Sequence, residues 1–183
     1  MRWEALFAEL EAEFEAADAL EVDGEVRDRA RRENATLRLV DRLAAARDGA
    51  IAVQVAGLVL RGRLTEAGSD WLLLTESPAR DVLIPLAAVA SVTGLGRWSA
   101  APGSAGRVGA RLDLGYALRA LARDRAAVTI TLIDGSNCAG TIDRVGADFV
   151  EIAEHPAAEA RRVAAVTSVR TVPRAAILFI RSG

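Results

Sequence analysis

The chain has 183 residues and a mass of 19.3 kDa, with 51% of its residues in the hydrophobic class and 26% charged. That is one domain of ordinary size or two small ones, and the apolar content excludes wholesale disorder. The sequence has no run of ~18 apolar residues, so a membrane-spanning helix is not expected. Residues 1–20 carry acids throughout and lack an apolar core, which reads against a secretory signal. The single cysteine, Cys138, can form neither an internal disulfide nor a cysteine zinc site, and the expected compartment is a reducing cytoplasm.

The formal charge of −2 hides an asymmetry. Residues 1–25 hold nine acids and one arginine, and the rest of the chain is net positive. All 23 basic residues are arginine, which the coding bias of a GC-rich bacterium explains together with the abundance of Ala, Val and Gly. Guanidinium groups also suit phosphate. A chain this near neutrality nevertheless lacks the broad positive field that makes nucleic acid the first inference.

In chain order, the first predicted element is an acidic amphipathic helix. Trp3, Leu6, Phe7, Leu10, Phe14 and Ala17 recur at helical spacing between glutamates, until Asp23-Gly24 breaks the pattern. A second helix is predicted over 25–47, with Leu37, Val40 and Leu43 on its apolar face and Asp48-Gly49 as its stop. From Ile51 the period drops to two. Five short strands are expected at 51–55, 58–64, 71–74, 82–84 and 89–92, separated by Gly57, Gly68-Ser69-Asp70, Pro78 and Pro85. Residues 94–109 are rich in Gly, Ser and Ala and read as a linker. A third helix fits 112–125. Strands return at 128–132, 138–142, 149–153, 162–165 and 166–172, before a last apolar stretch at 175–180.

The second strand region repeats the first. With one residue inserted in the second turn, Gly62 falls on Gly140, Leu64 on Ile142, Gly68 on Gly146, Asp70 on Asp148 and Trp71 on Phe149. Further on, Pro78 meets Pro156, Val89 meets Val166, and Ser91-Val92 meets Ser168-Val169. Glycines, an acid–aromatic pair and the apolar phase agree together, and a helix precedes each copy, so the unit is duplicated.

The stretch 128–152 resembles the first motif of the Sm and Lsm-like family, which includes the bacterial Hfq branch. An alternating strand leads to Gly135, then Gly140, an apolar Ile142, the acid Asp148 and a strand from Phe149. The first copy keeps Gly57, Gly62, Leu64, Asp70 and Trp71. Asp134-Gly135 is a hairpin signal in its own right, and a mid-strand glycine marks a sharp bend. The resemblance implies a small barrel that binds RNA and closes its edges by forming head-to-tail rings. Asp148 lies two residues farther from Gly140 than in family members, and an apolar residue follows it where they have a polar one. Their second motif has no match in residues 86–89 or 163–166. The barrel therefore carries over better than the RNA site.

The expected fold is mainly β with N-terminal helices (α+β). A helical hairpin in 1–48 precedes two tandem Sm-like five-stranded barrels, each introduced by a helix; the first spans 49–96, 97–110 is a linker, and 111–183 holds the second. No catalytic residue, metal site or cofactor is expected. His155 is read as an exposed turn residue, Cys138 as a small core residue, and Asp70 and Asp148 as turn acids. The nucleic-acid candidates are Arg97, Trp98, Arg107 and Arg111 in the linker, together with Arg144 and with Arg161 and Arg162, which with Arg170 and Arg174 would line one barrel face. Trp98 would either stack on bases or anchor the linker. The leading expectation is a non-enzymatic cytoplasmic Sm-like binding or assembly module for RNA or single-stranded nucleic acid. The alternative is a scaffold that binds protein partners or its own copies through barrel edges and the acidic helix; neither involves a membrane.

Overall fold

The computed structural model describes residues 29, 31–32, 34–101, 112–155 and 167–182. The chain divides into two units, 1–38 and 39–183. In the first unit the described residues include a helical turn at 34–36, after which Leu37 N donates to Asn34 O at 3.2 Å. The helix predicted at 1–20 lies outside the described residues. The helix predicted over 25–47 is not continuous, because residues 37 and 38 leave the helical state.

The second unit opens with α1, Leu39–Ala45, whose Leu43 is fully buried. Five strands follow: β1 Ala50–Val55, β2 Leu58–Ala67, β3 Trp71–Ser77, β4 Arg80–Pro85 and β5 Ser91–Thr93, with a 3-10 turn at Leu86–Ala88 before β5. Alternation does what period-two patterning demands: Ile51, Val53 and Val55 of β1 turn inward while Ala50 and Gln54 face water. Helix α2, Leu114–Arg123, is capped by Asp113, whose Oδ1 accepts from Tyr116 N at 2.7 Å, and buries Leu114 and Leu118. The second half then runs through β6 Ala127–Leu132, β7 Asn137–Val145, β8 Phe149–Glu154, β9 Ser168–Pro173, a 3-10 turn at Arg174–Ala176, and β10 Ile177–Ser182.

All ten strands belong to one antiparallel sheet in the order β5-β1-β2-β3-β4-β10-β6-β7-β8-β9. This overturns the expectation of a helical hairpin followed by two separate five-stranded barrels. In neither half does the fifth strand pair with the fourth strand of the same half, so neither half closes on itself. Instead β10 lies between β4 and β6. Its four apolar residues, Ile177–Ile180, are all buried, because both faces are covered. Ile177 and Ile180 join the second-half core with Leu118, Val128 and Ile130. Leu178 and Phe179 join the first-half core with Leu43, Val53 and Leu72. Trp71 and Leu83 cross in the opposite sense.

Each half keeps the same internal order, fifth-first-second-third-fourth. The second strand bends in the same place in both. The β2–β3 register shifts between Leu64 and Glu66, and the β7–β8 register between Ile142 and Arg144, three residues beyond Gly62 and Gly140. A Cβ at Gly62 would lie 2.7 Å from Thr75 O, so only glycine lets β3 approach this closely.

One part of the predicted alignment shifts. Pro85 and Pro173 have the same extended geometry (φ −61° and −59°, ψ 135° and 136°), and each starts a 3-10 turn. Pro85-Leu86-Ala87-Ala88-Val89 therefore corresponds to Pro173-Arg174-Ala175-Ala176-Ile177. Strand β9 is the counterpart of β4, and Ser91-Val92 does not match Ser168-Val169. The slip arises between the third and fourth strands, where Pro78-Ala79 turns tightly in the first half and residues 155–167 intervene in the second.

Candidate interaction edges

Within residues 39–183, the β4–β10 seam is one example of how two strand halves meet. Leu83 pairs with Ile180, Val82 with Arg181 and Asp81 with Ser182. Arg181 reaches across to Glu76, Nε to Oε2 at 3.4 Å and Nη2 to Oε1 at 3.3 Å, and its guanidinium lies 4.7 Å over the Phe179 ring. The β2–β3 turn of the first half also grips the entrance to α2. Trp71 Nε1 donates to Leu112 O at 2.8 Å, Ser69 N donates to the same carbonyl at 3.1 Å, and Asp70 Oδ1 accepts from Leu114 N at 2.7 Å.

The two ends of the sheet carry the counterparts of that seam with nothing paired to them among the described residues. Strand β5 pairs only with β1, and β9 only with β8. Arg174 N donates to Asp148 O at 2.7 Å, as Leu86 N does to Asp70 O at 2.8 Å. Alternation along β9 then directs the backbone N–H and C=O of Val169 and Thr171 away from β8. These residues occupy the places that Asp81 and Leu83 hold on β4, and the Val169 side chain is 60% exposed. Asp148 repeats the turn of Asp70, yet no described N–H donates to its carboxylate, which stays in water. The Phe149 ring instead lies against Gly146.

The predicted motif residues occupy turns and bends. Gly57 (φ 82°), with Ala56 (φ 46°), makes the tight β1–β2 turn, and Gly135 (φ 81°) follows Asp134 between β6 and β7. Ser136 donates to Asp134 Oδ1 through Oγ at 2.6 Å and N at 2.9 Å, which holds that carboxyl below the usual aspartate range. Arg107, Arg111, Arg161 and Arg162 lie outside the described residues. Arg144 is engaged with Glu151 at 3.4 Å. Arg97 is exposed, and Trp98 is 82% exposed rather than tucked against the sheet. Their segment is held from beneath by Arg42 Nη2 on Gly96 O (2.6 Å) and Ala100 N on Asp41 O (2.9 Å).

His155, expected in an exposed turn, is buried, with Nε2 2.8 Å from Thr141 Oγ1. It extends the β7 ladder, where His155 N donates to Ala139 O at 3.2 Å. Cys138 is buried, and burial pushes its thiol up from its ordinary value, which keeps it protonated near neutrality. Glu154 accepts from Arg170 Nε at 2.8 Å and from Ser168 Oγ, so polar pairing clusters along β9. Sequence reasoning missed Arg181–Glu76 and the outward groups of Val169 and Thr171. The repeated Pro-x-Ala-Ala-apolar run was the signal that would have placed β9.

Among the described residues, no group of three or more His, Cys, Asp or Glu could hold a metal ion, and no helix is long and apolar enough to cross a membrane. No family model matches the chain, and no curated protein matches it.

Proposed function

We propose that this chain is a non-enzymatic binding and assembly module, with Sm-like repeats, whose copies join head to tail through β9 of one and β5 of the next. The observation that carries this reading is the β4–β10 seam, whose two counterparts lie at opposite ends of the same sheet with no further strand paired to them among the described residues. Transferring the seam register onto them sets Val92 opposite Thr171, Thr93 opposite Arg170 and Gly94 opposite Val169. The acceptor turn is present as well, since Asp148 stands where Asp70 holds the next helix. An unpaired strand edge is a template for further pairing, and repeated head-to-tail contacts close into rings or continue as open chains.

Sedimentation velocity tests the proposal. The expected result is a concentration-dependent species heavier than the 19.3 kDa chain, converted to monomer by Thr171→Pro. That substitution removes an outward N–H and leaves the β8 ladder intact. A wild-type monomer at every concentration, or a Thr171→Pro protein that assembles as before, overturns it.

A second reading, single-stranded nucleic acid as ligand, is favoured by one observation, the exposed Arg97-Trp98 pair. Stacking on one indole is worth roughly 1–3 kcal/mol per base. Titration of a labelled single-stranded RNA should give a signal at low salt that weakens steeply as salt rises and is lost with Trp98→Ala. Binding insensitive to salt, or to Trp98, removes this reading and leaves the assembly reading untouched.

A further inference from the structure

Between α2 and the seam strands lies a groove of about 180 Å³. Its floor is a row of apolar side chains in register across three strands, Leu73, Leu83 and Ile180. Its roof is Tyr116, Ala117, Ala120 and Leu121 of α2. The helix turns Leu114 and Leu118 toward the second-half core, and the short side chains of Ala117 and Ala120 leave the gap open between the larger Tyr116 and Leu121. The groove is thus a consequence of the joined halves: β3 and β4 supply one side of the floor and β10 the other.

Two carboxylates, Glu66 and Asp124, stand among the lining residues, and no arginine does. Among the described residues Glu66 makes no ion pair, and the partner of Asp124 is an exposed neighbour, Arg123 at 3.7 Å. Asp124 also caps the carboxyl end of α2, where the last carbonyls concentrate partial negative charge. An apolar floor under a rim of negative charge favours one ligand chemistry. An apolar body displaces water from Leu73, Leu83 and Ile180, while a positive head stays close to the carboxylates and half in solvent. An anion of the same shape meets repulsion, and a neutral one loses the electrostatic attraction.

We propose that this groove binds a small organic ammonium ion with an apolar body of about six to ten heavy atoms. The test titrates three probes of one shape into the full chain: phenethylammonium, 2-phenylethanol and 3-phenylpropionate. The Trp71 indole N–H, identified through Trp71→Phe, serves as the reporter at the groove. Saturable binding of the ammonium is expected, with the alcohol roughly 2- to 5-fold weaker and the anion weaker still, which is the range for exposed charge pairs. Glu66→Gln should cut the ammonium's advantage over the alcohol without changing the alcohol's affinity. Ala117→Leu should fill the groove and abolish binding of both. The proposal is overturned if the ammonium does not bind, if all three probes bind alike, or if Glu66→Gln leaves the preference intact. Glu66→Gln is a half-exposed surface change, so it decides the matter even if Ala117→Leu does not fold.

Discussion

Gly140→Ala is expected to destabilise the second unit by about 3 kcal/mol, the upper part of the usual range for overpacking a close-packed site. Gly140 sits mid-strand in β7, paired with Val128 on one side and Glu154 on the other. A Cβ there would lie 2.8 Å from Ala153 C and 3.0 Å from Glu154 Cα, and closer still to Ala153 O. All three are backbone atoms of β8, so relief requires moving a strand, not rotating a side chain. Gly62→Ala meets Thr75 O at 2.7 Å and Thr75 C at 3.1 Å, and should cost less. Gly135→Ala meets no atom within 4 Å, and its cost is only that of a left-handed backbone (φ 81°), about 1 kcal/mol. Urea unfolding ranks the three. With a slope of about 2 kcal/mol/M, Gly140→Ala moves the midpoint down by about 1.5 M. A Gly140→Ala midpoint no lower than that of Gly135→Ala would refute the close approach of β7 and β8.

The difference between these glycines separates what the sequence alone makes legible from what depends on remote contacts. Gly57 and Gly135 were legible as turn glycines because a hairpin turn is a local event of a few residues, announced by Asp134-Gly135 itself. Gly62 and Gly140 were legible as bends because alternation continues on either side of them. The strands were legible because Ile51-Val53-Val55 and Val128-Ile130 alternate. What was not legible is which strand β10 would pair with. Closing on its own half and joining β4 bury the same four residues, Ile177–Ile180, and local pattern cannot tell them apart. The deciding contacts are remote: Arg181 meets Glu76 across 105 positions of chain, and Phe179 enters a core made by β1 to β4. Only the continuous apolar run hinted that both faces of β10 are covered, and that hint names no partner. The correspondence of β9 with β4 was hidden by length alone, since residues 155–167 displace the Pro173 turn that matches Pro85.

The candidate interface was less legible still, for a physical reason. An open edge is a property of the backbone, and Val169 and Thr171 carry no side-chain signature of it. Charged or stacking residues draw attention in a sequence, and the arginines did. Arg144 is spent on Glu151 and Arg170 on Glu154, so their charge is partly neutralised within the chain. Asp148 was visible as a turn acid, and only its counterpart Asp70, seated on Leu114 N, reveals what such an acid does when the next unit is present.

Trp71→Ala should cost about 4 kcal/mol, within the range for removing a buried aromatic ring, and the loss should appear in both halves. The residue belongs to β3 of the first half, but its ring is buried among Leu83, Leu114, Leu118 and Ile130 in the second-half core. Its N–H holds Leu112 O at the mouth of α2. Removing the ring opens a cavity beneath α2 and loosens the helix that covers β6 and β7. Trp71→Phe separates the two contributions. It keeps most of the apolar volume, and Leu112 O retains its bond from Ser69 N, so only about 1 kcal/mol should be lost. Native-state amide exchange locates the effect. In Trp71→Ala the amides of Ile130 and Cys138 should lose protection together with those of Leu72 and Leu74, in one cooperative unit. If β6 and β7 keep wild-type protection while β3 loses it, the halves fold independently and the seam is a mere contact. Loss of protection on both sides makes the ten strands one folding unit, which a sheet threaded by β10 between two cores requires.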